Sequence, residues 1–190
     1  MWAHYEKRLC FLHIPRTGGT TFKVCIPGFV RVTPDHHAKL RVVSDAGQYR
    51  AFKIFTIVRD PYARFASAYH RRSVKEQRRD KSRVRMATSF CAYVKRLLHV
   101  TDTWVQAEFL DHPFLRVTVY RYERDRLADI VRKYGGSVAK INQPESYFGA
   151  YNFAEWIDEP GIELITAHCA RDFDELGYER RTYAQLKAAA

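Results

Sequence analysis

The sequence predicts an α/β fold in which a single domain, residues 1–190, forms a three-layer parallel sheet flanked by helices. Three apolar segments support this prediction, because each has the length of a buried strand and each leads towards a segment with helical spacing. These segments are residues 9–14, 52–58 and 114–120. Strands that are apolar throughout are typical of parallel sheets covered on both faces. Right-handed connections then bring the carboxyl ends of the first two strands to one edge of the sheet.

The first strand leads into a glycine-containing loop. Residues 9–22 read LCFLHIPRTGGTTF, so the strand breaks at Pro15, passes through Gly18 and Gly19 and enters a predicted helix. Glycine lets main-chain amides approach an oxyanion closely, and the start of a helix favours negative charge. These features predict a phosphate site. Its polar side chains are those of Arg16, Thr17, Thr20 and Thr21.

Between the first two strands, the segment DHHAKLR contains two adjacent histidines, His36 and His37. We expect this segment to begin a helix with Asp35 as its N-cap. Adjacent residues of a helix point about 100° apart, so at most one of the two histidines faces a cleft. An ordinary surface role is the alternative for both.

The second strand, residues 52–58, ends at Arg59. Asp60 and Pro61 follow, and they suit the N-cap and the first position of a helix. Arg59 therefore lies at the carboxyl end of a strand, where ligands bind in open α/β sheets. Ser67 lies two turns into the helix that follows.

Helical spacing and turn signals predict the rest of the chain. Apolar residues recur at helical spacing within residues 86–110, 122–134 and 160–173, and the second of these segments ends at a glycine pair. Residues 141–151 are rich in Tyr and Phe and are predicted as a loop. Residues 179–190 are predicted as a tail.

The chain carries a large positive charge. It contains 32 Lys and Arg against 21 Asp and Glu, a formal net charge of +11, so we expect anionic partners. Residues 71–85, RRSVKEQRRDKSRVR, hold eight basic and two acidic residues. A solvated helix face and a surface for an anionic acceptor are both open for this basic segment. We do not expect nucleic acid, because the segment has no aromatic residue for base stacking.

Composition also limits the location and the cofactors. No apolar run approaches the length of about 20 residues that spans a bilayer, and residues 1–14 do not resemble a signal peptide, so we expect a cytoplasmic protein. The four cysteines are scattered without a C-x-x-C pattern, which favours free thiols. The eight histidines form no H-E-x-x-H pattern, and we expect no metal site.

Two segments resemble the motifs of the sulfotransferases. Residues 15–21, PRTGGTT, are similar to the Pro-Lys-Thr-Gly-x-Thr loop of that family, and residues 59–69, RDPYARFASAY, are similar to its motif R-[DN]-P-x-x-R-x-x-S-x-Y. The resemblance is greatest to the carbohydrate branch, which includes heparan and chondroitin sulfotransferases and short bacterial relatives. Residues 172–178, DFDELGY, resemble the ending of that branch, so the likeness extends from about residue 9 to residue 178.

The resemblance implies the P-loop-kinase-like sulfotransferase fold and the donor PAPS (3′-phosphoadenosine-5′-phosphosulfate), with PAP as product and no metal. It implies that residues 16–21 hold the 5′-phosphosulfate and that Arg59 and Ser67 hold the 3′-phosphate. Asn142 lies in the segment that matches a loop over the adenosine in related enzymes. The family usually has Lys where this chain has Arg16. Arginine can stabilise the charge of a leaving phosphate, but it stays protonated and cannot act as a general acid.

In several family members, a His followed by a small residue lies between the two motifs. The resemblance therefore implies His37 as the general base, with His36 as the second choice. The predicted reaction is in-line transfer of a sulfuryl group from PAPS to a hydroxyl of a carbohydrate or of a glycosylated small molecule. The acceptor is expected to be anionic.

Two other functions remain open at this point. One is a nucleotide-dependent, kinase-like transferase, although the G-K-[ST] ending of the usual phosphate loop is missing. The other is a non-catalytic polyanion-binding protein with a degenerate sulfotransferase fold, whose binding would weaken steeply with salt.

Overall fold

The computed structural model of the protein describes residues 1–43, 46–79, 89–100, 104–141 and 156–189, without the side chains of residues 46, 73–79 and 140. The chain divides into two compact units. The first consists of Met1–Arg59 and Gln106–Asn142, and the second of Asp60–Val105 and Gln143–Ala190. A single domain stays a prediction.

The first unit is built on a mixed five-stranded sheet. The strands are β1 (Trp2–His4), β2 (Leu9–Leu12), β3 (Val30–Arg31), β4 (Lys53–Val58) and β5 (Val117–Arg121), in the order β3-β1-β2-β4-β5. β2, β4 and β5 are parallel, whereas β1 is antiparallel to both of its neighbours. The α/β class is confirmed. The antiparallel strand was not predicted, because three residues are too few to show a strand pattern.

Both units contain helices. Those within the described ranges are α1 (Gly19–Cys25), α2 (Pro61–Arg79), α3 (Phe90–Val100), α4 (Ala107–Leu110), α5 (Leu127–Lys133), α6 (Glu159–His168), α7 (Ala170–Leu176) and α8 (Tyr183–Ala188). α1, α4 and α5 belong to the first unit and the others to the second. The helix predicted within residues 160–173 is thus two helices, α6 and α7. α8 lies within residues 179–190, which were predicted as a tail, and its Leu186 is buried.

The core of the first unit fixes the position of the strand ends. Phe11 of β2, Phe55 of β4 and Phe22 of α1 are fully buried in one cluster with the apolar side of α5. Leu12 is the register partner of Thr56, whose Oγ1 donates a 2.7 Å hydrogen bond to the carbonyl of Leu12. The parallel strands β2 and β4 therefore end side by side, as the sequence predicts.

The second unit begins with the start of α2. Asp60 Oδ1 accepts a hydrogen bond from the amide of Ala63 at 2.9 Å, which confirms Asp60 as the residue that caps this helix. Arg64 is fully buried, donates to the carbonyl of Trp104 at 3.1 Å and lies over its ring. Burial lowers the pKa of Arg64 to about 10, while Asp172 opposes that shift. Arg64 therefore has a structural role in this core.

Several other predictions meet the structure here. Residues 35–39 are not helical, so the predicted helix at Asp35 is wrong; two short 3₁₀ helices, Leu40–Val42 and Ala46–Tyr49, follow among the described residues. Of the basic segment, Arg71 and Arg72 are exposed and the remaining side chains lie outside the described residues or are undescribed. All four cysteines are free thiols, as predicted. In the part of the chain that is described, no helix is both long and apolar enough to cross a membrane.

Candidate functional site

The loop after β2 has an unusual main-chain conformation. Arg16 has a φ of 67° and Gly18 a φ of 86°, so two residues on either side of Thr17 have positive φ. A non-glycine residue in this region is uncommon and is held there only by its surroundings. Alternation of such conformations turns successive amides towards one side, which is how main-chain anion sites form.

α1 begins directly after this loop. Phe22 donates its amide hydrogen bond to the carbonyl of Gly18 at 3.1 Å, and Gly18 is the N-cap without a side-chain cap. The first turn of α1 contains no acidic residue. The positive end of the helix is therefore not neutralised by a carboxylate of its own first turn.

The three threonines of the loop have different surroundings. Thr17 is fully buried, and its Oγ1 donates to the carbonyl of Ile14 at 2.9 Å, so this hydroxyl closes the turn. Thr20 is exposed and Thr21 is half-buried. The hydroxyl proton of Thr17 is used within the protein, which leaves its amide as the group that can bind an anion.

Arg59 is joined to the same loop. Its Nη1 donates to the carbonyl of Arg16 at 3.1 Å, and its guanidinium lies 4.6 Å from the centre of the Tyr122 ring. The ring of Tyr122 is also close to Gly18, where a Cβ atom would lie 3.2 Å from it. Only 6% of Arg59 is exposed. The structure thus brings together the first residue of the second motif and the glycine loop.

A residue that the sequence did not indicate holds the main chain of Arg59. Gln106 accepts from the amide of Arg59 at 2.9 Å and donates to its carbonyl at 2.7 Å. Gln106 is fully buried. This pair of hydrogen bonds fixes the peptide at the end of β4, although 47 residues separate the two positions.

His37 lies beside the strand that carries the loop. Its Nδ1 is 3.0 Å from the carbonyl oxygen of His13, and the two rings are 4.5 Å apart. Because a carbonyl only accepts, Nδ1 of His37 carries the proton in this contact. In neutral His37, the lone pair is then on Nε2, the form that a general base requires.

His13 is the second residue that sequence reasoning missed. Its ring stacks on Phe11 at 5.7 Å and is 6% exposed. Burial, with a contribution from His37, lowers the pKa of His13 to about 3, so this ring is neutral at physiological pH. The signal in the sequence was a polar residue inside an otherwise apolar strand, two positions before Pro15.

His36 points elsewhere. It is exposed and lies 5.3 Å from the ring of Trp2, while its ring centre is 6.4 Å from that of His37. The ammonium of Lys23, in α1, lies 3.6 Å from the centre of the same Trp2 ring. Burial lowers the pKa of Lys23. Within the described ranges, no group of three His, Cys, Asp or Glu side chains is arranged as a metal site.

An ion pair fixes the segment that carries the two histidines. Lys39 is 6% exposed and pairs with Glu108 of α4. The side chain of Glu108 is 31% exposed, so the pair is partly buried, and loss of Glu108 would leave the buried Lys39 without its counter-charge. It follows that His37 is positioned from both sides, by Lys39 and by the carbonyl of His13.

The remaining predicted site residues are placed differently. Ser67 is half-buried in α2 and belongs to the second unit, whereas Arg59 belongs to the first. Asn142 lies outside the described residues. The roles of Ser67 and Asn142 stay predictions.

The amino-terminal half of the chain matches a known family. The model described as the Sulfotransferase family matches residues 1–99, just over half of the 190 residues. The match includes the glycine loop, both histidines of the DHHAKLR segment and the motif that starts at Arg59. Neither the comparison with curated proteins nor that with solved structures gives a match.

Proposed function

The chain belongs to the sulfotransferase family, and on this premise we propose that it transfers a sulfuryl group from PAPS to a hydroxyl of a carbohydrate or of a glycosylated small molecule. One observation carries the proposal: the hydrogen bond from Arg59 to the carbonyl of Arg16. It joins the two loops that each follow a strand of the sheet. A donor with phosphates at two ends needs two such groups on one edge.

The residues of the first unit suit a phosphorylated donor. A main-chain cradle for a phosphate is supplied by the loop, where Arg16 and Gly18 have positive φ values. The start of α1, whose first turn has no acidic residue, adds to it. Arg59 supplies a held guanidinium, whose planar fork matches phosphate oxygens. Ser67, for the 3′-phosphate, and Asn142, for the adenosine, are proposed as donor-binding residues on the family resemblance alone. When bound, the donor supplies the sulfuryl group and a leaving phosphate.

Arg16 stabilises the negative charge that builds on the leaving phosphate. Its guanidinium can do this by a bidentate contact, and electrostatic stabilisation of this kind is often the largest single contribution to catalysis. Because the guanidinium stays protonated, Arg16 does not donate a proton to the leaving group. Arg16 therefore assists departure of the phosphate by stabilising its negative charge and not by protonating it.

His37 acts as the general base. The contact with the carbonyl of His13 leaves Nε2 unprotonated in the neutral ring, and Nε2 accepts the proton of the acceptor hydroxyl. The ring of His13 beside it is neutral, so it places no positive charge next to His37. His36 is the second choice for this role.

The acceptor is proposed to be anionic, in view of the net charge of +11. The cytoplasmic location of the protein stays a prediction.

The test is the release of PAP from PAPS in the presence of a panel of acidic and neutral carbohydrates and glycosylated small molecules. We expect release that depends on at least one acceptor and that His37→Ala lowers by about 10²–10⁴-fold. Release that is the same with and without every acceptor, or that neither His37→Ala nor His36→Ala lowers, would contradict the proposed reaction.

A further inference from the structure

A cavity in the first unit lies away from the glycine loop. It has a volume of about 660 Å³, within the range of small-molecule pockets. Leu9, Lys53 and Arg116, which line it, lie at or just before the starts of β2, β4 and β5. The glycine loop follows the opposite end of β2, and the four-residue step from Leu9 to His13 spans about 13 Å of strand. The cavity is therefore on the amino edge of the sheet, and we call it the amino-edge groove.

The charges that line the amino-edge groove are all of one sign. Four cationic side chains line it, those of Lys7, Lys53, Arg116 and Lys133, and no carboxylate does so among the described residues. All four residues are exposed. Within the described part of the chain, none of the four forms an ion pair with a carboxylate. Like charges around one cavity repel each other, and an anion relieves that repulsion.

Two tyrosines add hydrogen-bonding groups. The hydroxyls of Tyr120 and Tyr134 are 3.1 Å apart and share one hydrogen bond, which uses one of their two protons. Burial and the contact with Tyr120 raise the pKa of Tyr134, so its hydroxyl stays protonated. Among the described residues, no acceptor takes the second proton of the pair, so it can bind a ligand oxygen. Lys133 lies 5.3 Å from the ring of Tyr120, which directs its ammonium along this wall.

Apart from Thr118, the remaining side chains of the lining are apolar. Leu9, Phe52 and Ile54 line the groove together with the rings of the two tyrosines. A bare ion would use the cations alone, whereas a ring would also cover this apolar surface. The combination of four cations, a free hydroxyl proton and ring faces matches a compact molecule that carries several anionic groups on a ring.

We propose that the amino-edge groove is a second binding site, separate from the donor site, for a ring-bearing small molecule with several sulfate or phosphate groups. Sulfated sugars and nucleotides share this chemistry. The inference goes beyond the proposed transfer reaction, because it depends only on binding at the opposite edge of the sheet.

The test is calorimetric titration with sucrose octasulfate as the sulfated-sugar probe and ATP, without metal, as the nucleotide probe. Uncharged sucrose and inorganic sulfate are the comparisons. We expect one of the two probes to bind, and Lys7→Glu with Arg116→Glu to weaken that binding at least about tenfold. The probe that binds more tightly identifies the source of the ligand.

Matched variants separate this site from general charge and from the loop. Arg31→Glu with Arg41→Glu makes the same change in net charge at two exposed positions outside the groove and is expected to weaken binding less than threefold. Arg16→Ala is expected to leave probe binding unchanged. If the Lys7 and Arg116 variant does not fold, Lys7→Gln with Arg116→Gln and its matched pair replace it.

Three results would overturn the proposal. One is the absence of binding by both probes, and another is an equal loss in the groove variant and the matched variant. The third is a loss confined to Arg16→Ala, which would assign the binding to the glycine loop. Failure of PAP binding at the donor site would leave these outcomes unaffected.

Discussion

The Nδ1 atom of His37 donates a hydrogen bond to the main-chain carbonyl of His13 across 3.0 Å, although 24 residues separate them in the sequence. The contact fixes the tautomer of His37, because the carbonyl cannot donate. It also ties the base proposed for the reaction to the strand that leads into the glycine loop. Orientation of the base and position of the loop therefore depend on the same strand.

Replacing His37 by Ala is expected to lower kcat by about 10²–10⁴-fold, the usual contribution of a general base. The affinity for PAP should stay within about threefold, because the base acts on the acceptor hydroxyl. Initial rates with PAPS and an accepted hydroxyl compound, together with PAP titration, measure both quantities. His36→Ala is the comparison and should retain most of the activity. The reverse pattern, with His36→Ala inactive, would exchange the roles of the two histidines.

His13→Gln is expected to make the folding stability less dependent on pH. The folded pKa of His13 is about 3, below its usual value of 6.5 when unfolded, so the unfolded state binds more protons between these values. Stability from the neutral, buried ring is thus complete above pH 6.5 and is lost as the pH falls. From pH 7 to pH 5, wild type should lose about 2 kcal/mol more than the Gln variant.

Urea denaturation at the two pH values measures this difference for His13. Thr20→Ala, which removes no titratable group from an exposed position, serves as the control and should keep the pH dependence of wild type. An identical loss of stability in wild type and His13→Gln would mean that His13 is protonated in the folded state.

Gly19→Ala is expected to destabilise the protein by about 1–3 kcal/mol through overpacking. A Cβ atom at this position would lie 2.6 Å from Nε2 of His13 and 2.9 Å from Phe11. The neighbouring exposed Thr20 offers the matched variant, and Thr20→Ala should keep the stability within about 0.5 kcal/mol. Thermal unfolding of both variants checks the prediction. Equal melting temperatures for Gly19→Ala and wild type would show that His13 can move away without cost.

Arg59→Lys is expected to weaken PAP binding about tenfold and to leave 5′-AMP binding within about threefold of wild type. An ammonium cannot donate to the carbonyl of Arg16 and grip a phosphate with the geometry of the planar fork. Calorimetry with the two nucleotides measures the ratio, and Arg31→Lys is the exposed control. A parallel loss for both nucleotides would indicate that Arg59 acts only on the loop.

Local sequence signals predicted much of the fold. β4 could be predicted because its residues are consecutive and apolar, and the start of α2 because Asp60 and Pro61 are the residues that a helix start favours. The glycine loop could also be predicted from its own residues, and the structure gives Gly18 a φ that other residues avoid. Each of these signals depends on neighbours within a few positions.

Contacts between residues that are distant in the sequence could not be predicted from such local signals. Nothing near Gln106 in the sequence indicates that it holds the peptide of Arg59, and nothing near His13 indicates its contact with His37. The helix predicted at Asp35 is absent because the segment is fixed instead by tertiary contacts, the pair of Lys39 with Glu108 among them. Tertiary contacts of this kind override local helix propensity.

The most direct test of the proposed function is calorimetric titration of the protein with PAP, with 5′-AMP and ATP as comparisons and without metal. The account predicts micromolar binding of PAP, at least about tenfold tighter than 5′-AMP, a difference of about 1.4 kcal/mol from the 3′-phosphate. Equal binding of PAP and 5′-AMP would contradict a site for the 3′-phosphate, and with it the proposed use of PAPS as donor.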